Sequence, residues 1–508
     1  MNLKLNKLVA AALTSTFLLG FGANAMADTT DDIVNALIAK GVLTEEEGAL
    51  LMRGRTGEKE AAEKKKESAV SAKYKDGLSF ESGDGKFKAQ INGRVHTDYR
   101  IFDYEEGKNR AALPAATVTN SIANSTSNTL SDGFELRRAR LGFKAAWKDY
   151  YEGEVVADLT DSSTTIDVGY LNVAWWKQAQ FRAGIFKMPM NLEELTSSNN
   201  IDFMERSFVN GLAPAKEIGA MIHGIPFTGV TYALAVSNGN AKTRETDLRE
   251  DGKDVIGRVT ANFAEIMEKK NMVMHAGVSF SQGDQYLSNA AATTINAGTA
   301  RTEGRGVVFF TNPALTGGLN RDLDRSRVGL EGVVAYNQFK LQGEWMRLSN
   351  EFATTVRNYD LDTENWYAEA LWTITGENYS DAYKAGAFGG LKPKNDFDPT
   401  TFKGGLWEIG VRFSEFDASD YNTTAFGQGV VGSGPADAGV TTKARGFAEA
   451  QSYTAGIKFL PNANMRFMLN YVKTNFDNPI GGATGGLIIN NERIDDEQAV
   501  LMRAQWMF

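Results

Sequence analysis

The last ten residues, Ala499-Val500-Leu501-Met502-Arg503-Ala504-Gln505-Trp506-Met507-Phe508, constrain the fold more than any other stretch. Successive side chains of a strand point to opposite faces. Val500, Met502, Ala504, Trp506 and Phe508 therefore share one face, and Arg503 and Gln505 take the other. A soluble sandwich can dock a terminal strand of this kind. A sheet that closes on itself requires one, because its last strand must pair with its first. In a bilayer such closure is obligatory, since no water satisfies an open edge. On this reading Trp506 and Phe508 are the signal that closes a barrel.

The other end of the chain limits where that barrel sits. Lys4 and Lys7 precede a mostly apolar run from Leu8 to Phe21, and Ala25-Met26-Ala27 supplies small residues before Asp28. Residues 1–27 thus read as a secretory signal peptide, and the protein is exported from a bacterial cytoplasm. Nothing later approaches the ~18 consecutive apolar residues of a transmembrane helix. The chain contains no cysteine, which excludes disulfides and thiolate chemistry. Its net charge is −9, and cleavage after residue 27 removes two lysines and no acids. Nucleic acid is therefore not an expected partner.

Residues 28–80 have a different texture. Ile33, Leu37 and Ile38 recur at helical spacing until Gly41 breaks the run. Thr44-Glu45-Glu46-Glu47 forms a capping box opening a second helix through Leu50, Leu51 and Met52. The Lys/Glu-rich stretch from Glu58 to Lys66 reads as a solvated helix. The expectation is a short helical periplasmic segment, either an oligomerising coiled coil or a spacer.

From residue 81 onward the chain alternates. Phe87, Ala89, Ile91, Gly93 and Val95 oppose Lys88, Gln90, Asn92, Arg94 and His96. Ala139, Leu141, Phe143 and Ala145 oppose Arg138, Arg140 and Lys144. Sixteen such segments follow one another, an even number of membrane-crossing length. Around Asn337-Gln338 the apolar set switches from even to odd positions, as a two-residue hairpin requires. Short connections follow even-numbered strands and longer ones mostly follow odd-numbered strands, the pattern of periplasmic turns and outer loops. One long connection, residues 376–403, breaks this rule. Trp175, Trp176, Trp366, Trp372, Trp407 and Trp506 lie near strand ends, as interface girdles would place them. The predicted fold is all-β: a 16-stranded antiparallel transmembrane β-barrel over residues 81–508, in the bacterial outer membrane.

Phe134-Glu135-Leu136-Arg137-Arg138-Ala139-Arg140-Leu141-Gly142 resembles a motif of the phosphate-selective porin O and P family. Phe186-Lys187-Met188-Pro189-Met190-Asn191-Leu192-Glu193-Glu194-Leu195-Thr196-Ser197-Ser198 and Phe203-Met204-Glu205-Arg206 resemble two more. Thr375-Gly376-Glu377, Lys392-Pro393-Lys394 and Leu406-Trp407-Glu408 are similar to its later landmarks. The resemblance runs from about residue 85 to the C-terminus. It implies a trimeric porin whose inward-folded loop narrows the pore, with basic residues binding anions.

Elementary physics describes such a pore. An ion entering a narrow constriction loses hydration, and fixed opposite charge must compensate. Arginine suits phosphate because its planar fork donates two parallel hydrogen bonds. The candidate pore-lining, anion-binding residues are Arg94, Arg138, Arg140, Lys144, Lys187, Arg206 and Lys216. The segment from Met188 to Pro214 is the candidate constricting loop, with Glu193, Glu194, Ser197, Ser198 and Asn199 at its narrow part. One register of the 134–160 hairpin pairs Lys144 with Glu152 and Arg138 with Asp158, so that some of these charges neutralise each other.

The only histidines, His96, His223 and His275, lie on separate predicted strands, and no catalytic, zinc or calcium spacing occurs. No enzyme, metal or cofactor is expected. The expected partners are outer-membrane lipid, two further copies in a homotrimer, small anionic solutes and the outer-membrane assembly machinery. The alternatives are a general diffusion porin without anion preference and a structural or adhesive barrel.

Overall fold

In the computed structural model, long stretches are described at residues 77–104, 132–160, 164–239, 253–285, 299–315, 323–353, 358–422, 444–481 and 492–508. Shorter ones are 34, 37–41, 43–47, 49–50, 69–74, 120–124, 293–294, 440–442 and 485–489. Residues 1–27, read above as a signal peptide, and the Glu58–Lys66 run lie outside the described residues. Two compact units are present, residues 1–71 with 82–84, and residues 72–81 with 85–508. In the first, the Thr44 N–H donates to Glu47 Oε2 at 2.9 Å and the Glu47 N–H donates to Thr44 Oγ1 at 3.2 Å. That reciprocal pair is a capping box.

The second unit is a closed antiparallel barrel of sixteen strands. They are β1 (Phe87–Asp103), β2 (Gly133–Trp147), β3 (Tyr151–Asp158), β4 (Thr165–Trp176), β5 (Ala179–Lys187), β6 (Lys216–Phe227), β7 (Val230–Ser237) and β8 (Asp254–Asn262). The second half comprises β9 (Met272–Gln285), β10 (Leu323–Tyr336), β11 (Phe339–Ala353), β12 (Asn358–Thr373), β13 (Leu406–Asp417), β14 (Arg445–Asn462), β15 (Met465–Pro479) and β16 (Asp496–Met507). Each pairs with its chain neighbour, and β16 returns to β1 with Val500 opposite Ile101 and Trp506 opposite Val95. The hairpin at Asn337-Gln338 holds its expected register, Tyr336 opposite Phe339, with Asn337 in the left-handed region at φ 51°.

The burial pattern is inside out relative to a soluble protein. On β10 the apolar Val328, Leu330, Val334 and Tyr336 are roughly half exposed, while Arg325, Arg327 and Glu331 are buried. Apolar side chains therefore cover the outer wall and charged ones face the bore, the arrangement a lipid solvent dictates. Aromatic side chains ring the short-turn end: Trp147 and Tyr151 (5.9 Å between centroids), Trp175 and Trp176 (6.0 Å), Trp407 and Phe459 (4.4 Å). Such rings sit well at a headgroup boundary.

Phe508 completes the closure beyond the last strand. Its N–H donates to the Gly93 carbonyl at 3.0 Å, and the Gly93 N–H donates to the Phe508 carbonyl at 2.8 Å. A Cβ on Gly93 would lie 2.4 Å from the Phe508 ring, so the absence of a side chain there makes room for the aromatic terminus. Gly93→Val is expected to displace that ring and lower the temperature at which the folded band unfolds in a detergent gel. An unchanged transition would separate Phe508 from closure.

The β2–β3 hairpin corrects one expected register. Its turn holds three residues, so Arg140 lies opposite Asp158 and Lys144 opposite Glu154, two residues along from the expected pairs. Because the slip is even, every side chain keeps its face. The long connection 376–403 also finds its explanation: Tyr379, Ala382 and Phe388 are buried, packed with Val273, Val333 and Leu371 on the inner wall. It is an insertion into the bore, not an extended turn.

Candidate functional site

Among the described residues, three segments fold into the lumen. The largest is the β5–β6 connection, residues 188–215. Its Met188, Met190, Val209 and Leu212 pack with Phe186, Met221, Ile256, Met346 and Tyr367 of the inner wall. An apolar cluster inside a polar bore gives the loop a seat that water does not compete for. Polar anchors then fix its path across the barrel. Asn191 caps the single helical turn α1 (Leu192–Leu195), its side chain accepting from the Glu194 N–H. The free N–H groups of Leu192 and Glu193 both donate to the Glu344 carboxylate on β11, at 2.8 Å each, as a helix start invites. Farther along, Asp202 meets Lys340 at 2.6 Å, and the Met204 carbonyl accepts from Arg503 at 2.7 Å.

The second insertion lies between β9 and β10. Glu303 meets Arg412 at 2.7 Å, and the Gly304 carbonyl accepts from Arg100 at 2.7 Å. The third is the 376–403 segment, whose Gly386 carbonyl accepts from Arg258 at 2.7 Å and whose Tyr383 hydroxyl lies 2.7 Å from His275. Between the first and third insertions and the β1–β8 wall lies a cavity of about 560 Å³.

Of the seven basic residues singled out by sequence, Arg94, Arg138, Arg140, Lys187, Arg206 and Lys216 line this cavity. They do not do the same job. Arg140 is neutralised by Asp158 at 2.7 Å and Asp167 at 2.6 Å, and Lys216 by Asp167 at 2.8 Å. Lys187 donates to the Thr196 carbonyl at 2.9 Å, and Arg206 to the Glu193 and Thr196 carbonyls at 2.9 and 3.0 Å. These two hold the loop in shape. Lys144 lies outside the cavity, half exposed and 3.3 Å from Glu154.

Arg94 and Arg138 differ from the rest. Arg94 donates to three neutral oxygens, Ser197 Oγ (3.3 Å), Ser198 Oγ (3.2 Å) and Asn199 Oδ1 (3.2 Å). Arg138 is 5% exposed, and its Nε and Nη1 have no hydrogen-bond partner among the described residues. A buried guanidinium left so is costly unless something else supplies the oxygen atoms.

The loop candidates divide similarly. Glu194, Ser197 and Ser198 line the cavity, whereas Glu193 turns away to Arg412 (3.2 Å) and to the Ser207 hydroxyl (2.6 Å). Asn199 sits between Arg94 and His96, its Oδ1 3.2 Å from each. The adjacent acids Glu193 and Glu194 thus point to different partners and form no carboxylate pair.

Glu205 is the centre of a buried network missed by the sequence reading. It meets Arg100 and Arg137 at 2.8 Å and Arg503 at 3.2 Å. Burial pushes its carboxyl up, but Arg137 and Arg503 more than reverse this and hold it well below the usual carboxylate range. Strict alternation would put Arg137 on the lipid face with Ala139 and Leu141, and Leu136 in the bore. A bulge in the β1–β2 pairing, after His96 opposite Arg138, re-aims it inward. A charge at an expected lipid-facing position was the available sign. Arg182 and Asp167 also line the cavity. Arg182 was findable, since Phe181 and Ala183 flank it on the outward parity of β5.

Comparisons with known proteins identify a family. Residues 116–508 match the family model described as phosphate-selective porin O and P. Porin O of Pseudomonas aeruginosa is 24% identical over 456 residues, covering 86% of this chain and 92% of that protein. Among solved structures, an anion-selective porin from Comamonas acidovorans aligns over 83% of this chain and 100% of its own, at 11% identity and a TM-score of 0.48. The outer membrane channel DcaP of Acinetobacter baumannii aligns over 84% and 99%, at 11% identity and a TM-score of 0.46. At these scores neither structure bears on function. The family match spans most of the barrel, with its closed bilayer-facing wall and inward-folded loop, and this chain accordingly belongs to the phosphate-selective porin O and P family of bacterial outer-membrane porins.

Proposed function

We propose that this porin passes small anions passively, with phosphate or related oxyanions favoured, and that Arg138 and Arg94 are the groups that bind them in transit. The observation that carries the reading is the pair of unmatched Arg138 donors, with Arg94 bonded to neutral side-chain oxygens, beside a cavity where Arg140 and Lys216 are already neutralised. An oxyanion at Arg138 would supply the acceptors its Nε and Nη1 lack. Ser197 and Ser198 add neutral hydroxyls, so an arriving ion meets polar groups without meeting repulsion at that point. Moderate binding of this sort lets an ion enter and leave.

Planar-bilayer recordings test the proposal. Reversal potentials in a KCl gradient should show anion preference, and added phosphate should reduce the chloride current. Cation preference without block would demote the channel to general diffusion.

The remaining assignments belong to the same reading. Residues 1–27 are removed on export, residues 28–80 form a periplasmic segment, and Trp506 and Phe508 are read by the outer-membrane assembly machinery. The mature protein is a homotrimer. In support, β3 and β7 have only eight residues each and β5 and β8 nine, on one continuous wall. Strands so short barely cross a bilayer, which needs about 9–11 residues per strand. Neighbouring copies would shield that wall from lipid.

A further inference from the structure

The cavity is not uniformly polar. Val156 on β3 lies opposite Val168 on β4, and both line it. Tyr170, Phe186 and Met221 continue the apolar lining. Phe186 and Met221 also help to seat the β5–β6 loop, but Val156 and Val168 are outside that cluster. Packing of the loop therefore does not account for the two valines. A bore built only for hydrated inorganic ions has no use for an apolar strip, since water against it is unfavourable.

Arg182 joins the two characters of the site. Its guanidinium lies over the Tyr170 ring at 4.2 Å, and its Nε has no partner among the described residues. The Tyr170 hydroxyl donates to Glu154 at 2.9 Å, which holds the ring in place. A guanidinium kept flat by stacking retains in-plane donors for an oxyanion. The volume of about 560 Å³ lies inside the range of pockets that enclose whole organic ligands, roughly 300–1,000 Å³.

We infer that the cavity accepts amphipathic organic oxyanions, phosphate monoesters with a compact apolar body above all, and binds them more tightly than inorganic phosphate. The phosphoryl group takes the Arg138 and Arg94 donors. The body lies along the Val156–Val168 strip toward Tyr170 and Arg182. This inference rests on the anion-channel reading above, but its test separates the two.

The probes are phenyl phosphate and inorganic phosphate, compared as blockers of chloride current through the wild-type channel in planar bilayers. Phenyl phosphate is expected to reach half-block at about tenfold lower concentration, the gain expected when part of a ring leaves water. In Val156→Thr combined with Val168→Thr, shapes that differ little but carry hydroxyls, that advantage should fall to about twofold or less while block by inorganic phosphate persists. Equal block by the two probes in the wild-type channel would overturn the inference and leave the anion channel standing. An advantage that persists in the double variant would remove the strip from the site. Absence of anion preference and of block by either probe would overturn both readings together. The wild-type comparison needs no variant to fold.

Discussion

Arg138→Ala is expected to weaken block by inorganic phosphate about 10- to 100-fold, the loss that goes with one charge-assisted hydrogen bond of roughly 1.5–3 kcal/mol. The barrel should remain as stable as before, because the substitution removes a buried guanidinium whose Nε and Nη1 satisfy nothing in the protein. Arg140→Ala is the control. Arg140 already spends its donors on Asp158 and Asp167, so its loss should shift reversal potential toward cations while changing phosphate block by less than about threefold. Arg138→Lys should fall between wild type and alanine, since it keeps the charge and loses the planar fork. Equal effects of Arg138→Ala and Arg140→Ala on block would mean that the pore senses only summed charge.

Glu205→Gln should release the β5–β6 loop from the inner wall. One carboxylate meets Arg100, Arg137 and Arg503, and taking its charge away leaves two buried guanidinium groups and the partly buried Arg137 short of compensation. Breaking a buried pair in this way costs about 3–5 kcal/mol. The change is read by protease cleavage between residues 197 and 206 in detergent-solubilised protein, and by larger, noisier single-channel conductance. A loop as resistant as wild type would show that Glu344, Asp202 and the apolar seat suffice without Glu205.

The same group predicts a pH dependence. Its carboxyl is held below the usual range, so the stability it contributes is fully present above the ordinary glutamate value of ~4.3 and disappears only as pH falls through the lowered value. Loop docking through Glu205 should therefore survive at pH 4.5 in the wild-type channel. In Glu205→Gln the loop should be equally labile at pH 7 and pH 4.5. Protease sensitivity measured at both values distinguishes the two patterns.

Much of the barrel could be read directly, and the reason is local. A bilayer outside and water inside impose opposite polarity on neighbouring residues, and the period of two writes that into every strand. The even-to-odd switch at Asn337-Gln338 and the terminal Trp506 and Phe508 needed no partner information to interpret. The candidate site was legible only as a set of inward-facing charges. Arg94, Arg138 and Arg140 were placed by parity, but parity cannot say which charges meet a carboxylate. A three-residue turn decided that Asp158 pairs with Arg140 and not with Arg138, and so decided which arginine keeps unmatched donors. Nor can alternation survive a bulge, which is why parity alone does not bring Arg137 into the bore.

By itself, then, the order of residues determined a closed sheet with an apolar exterior, a charged bore, the position of the inserted loop and the family to which the chain is similar. Tertiary structure alone decided what that loop leans on, that residues 376–403 turn inward beneath it, and that Lys187 and Arg206 serve as struts. The physical reason is range. Side-chain direction follows from two adjacent bonds, whereas neutralisation of a charge depends on atoms brought together from strands hundreds of residues apart, as Asp98 and Arg503 are at 2.7 Å.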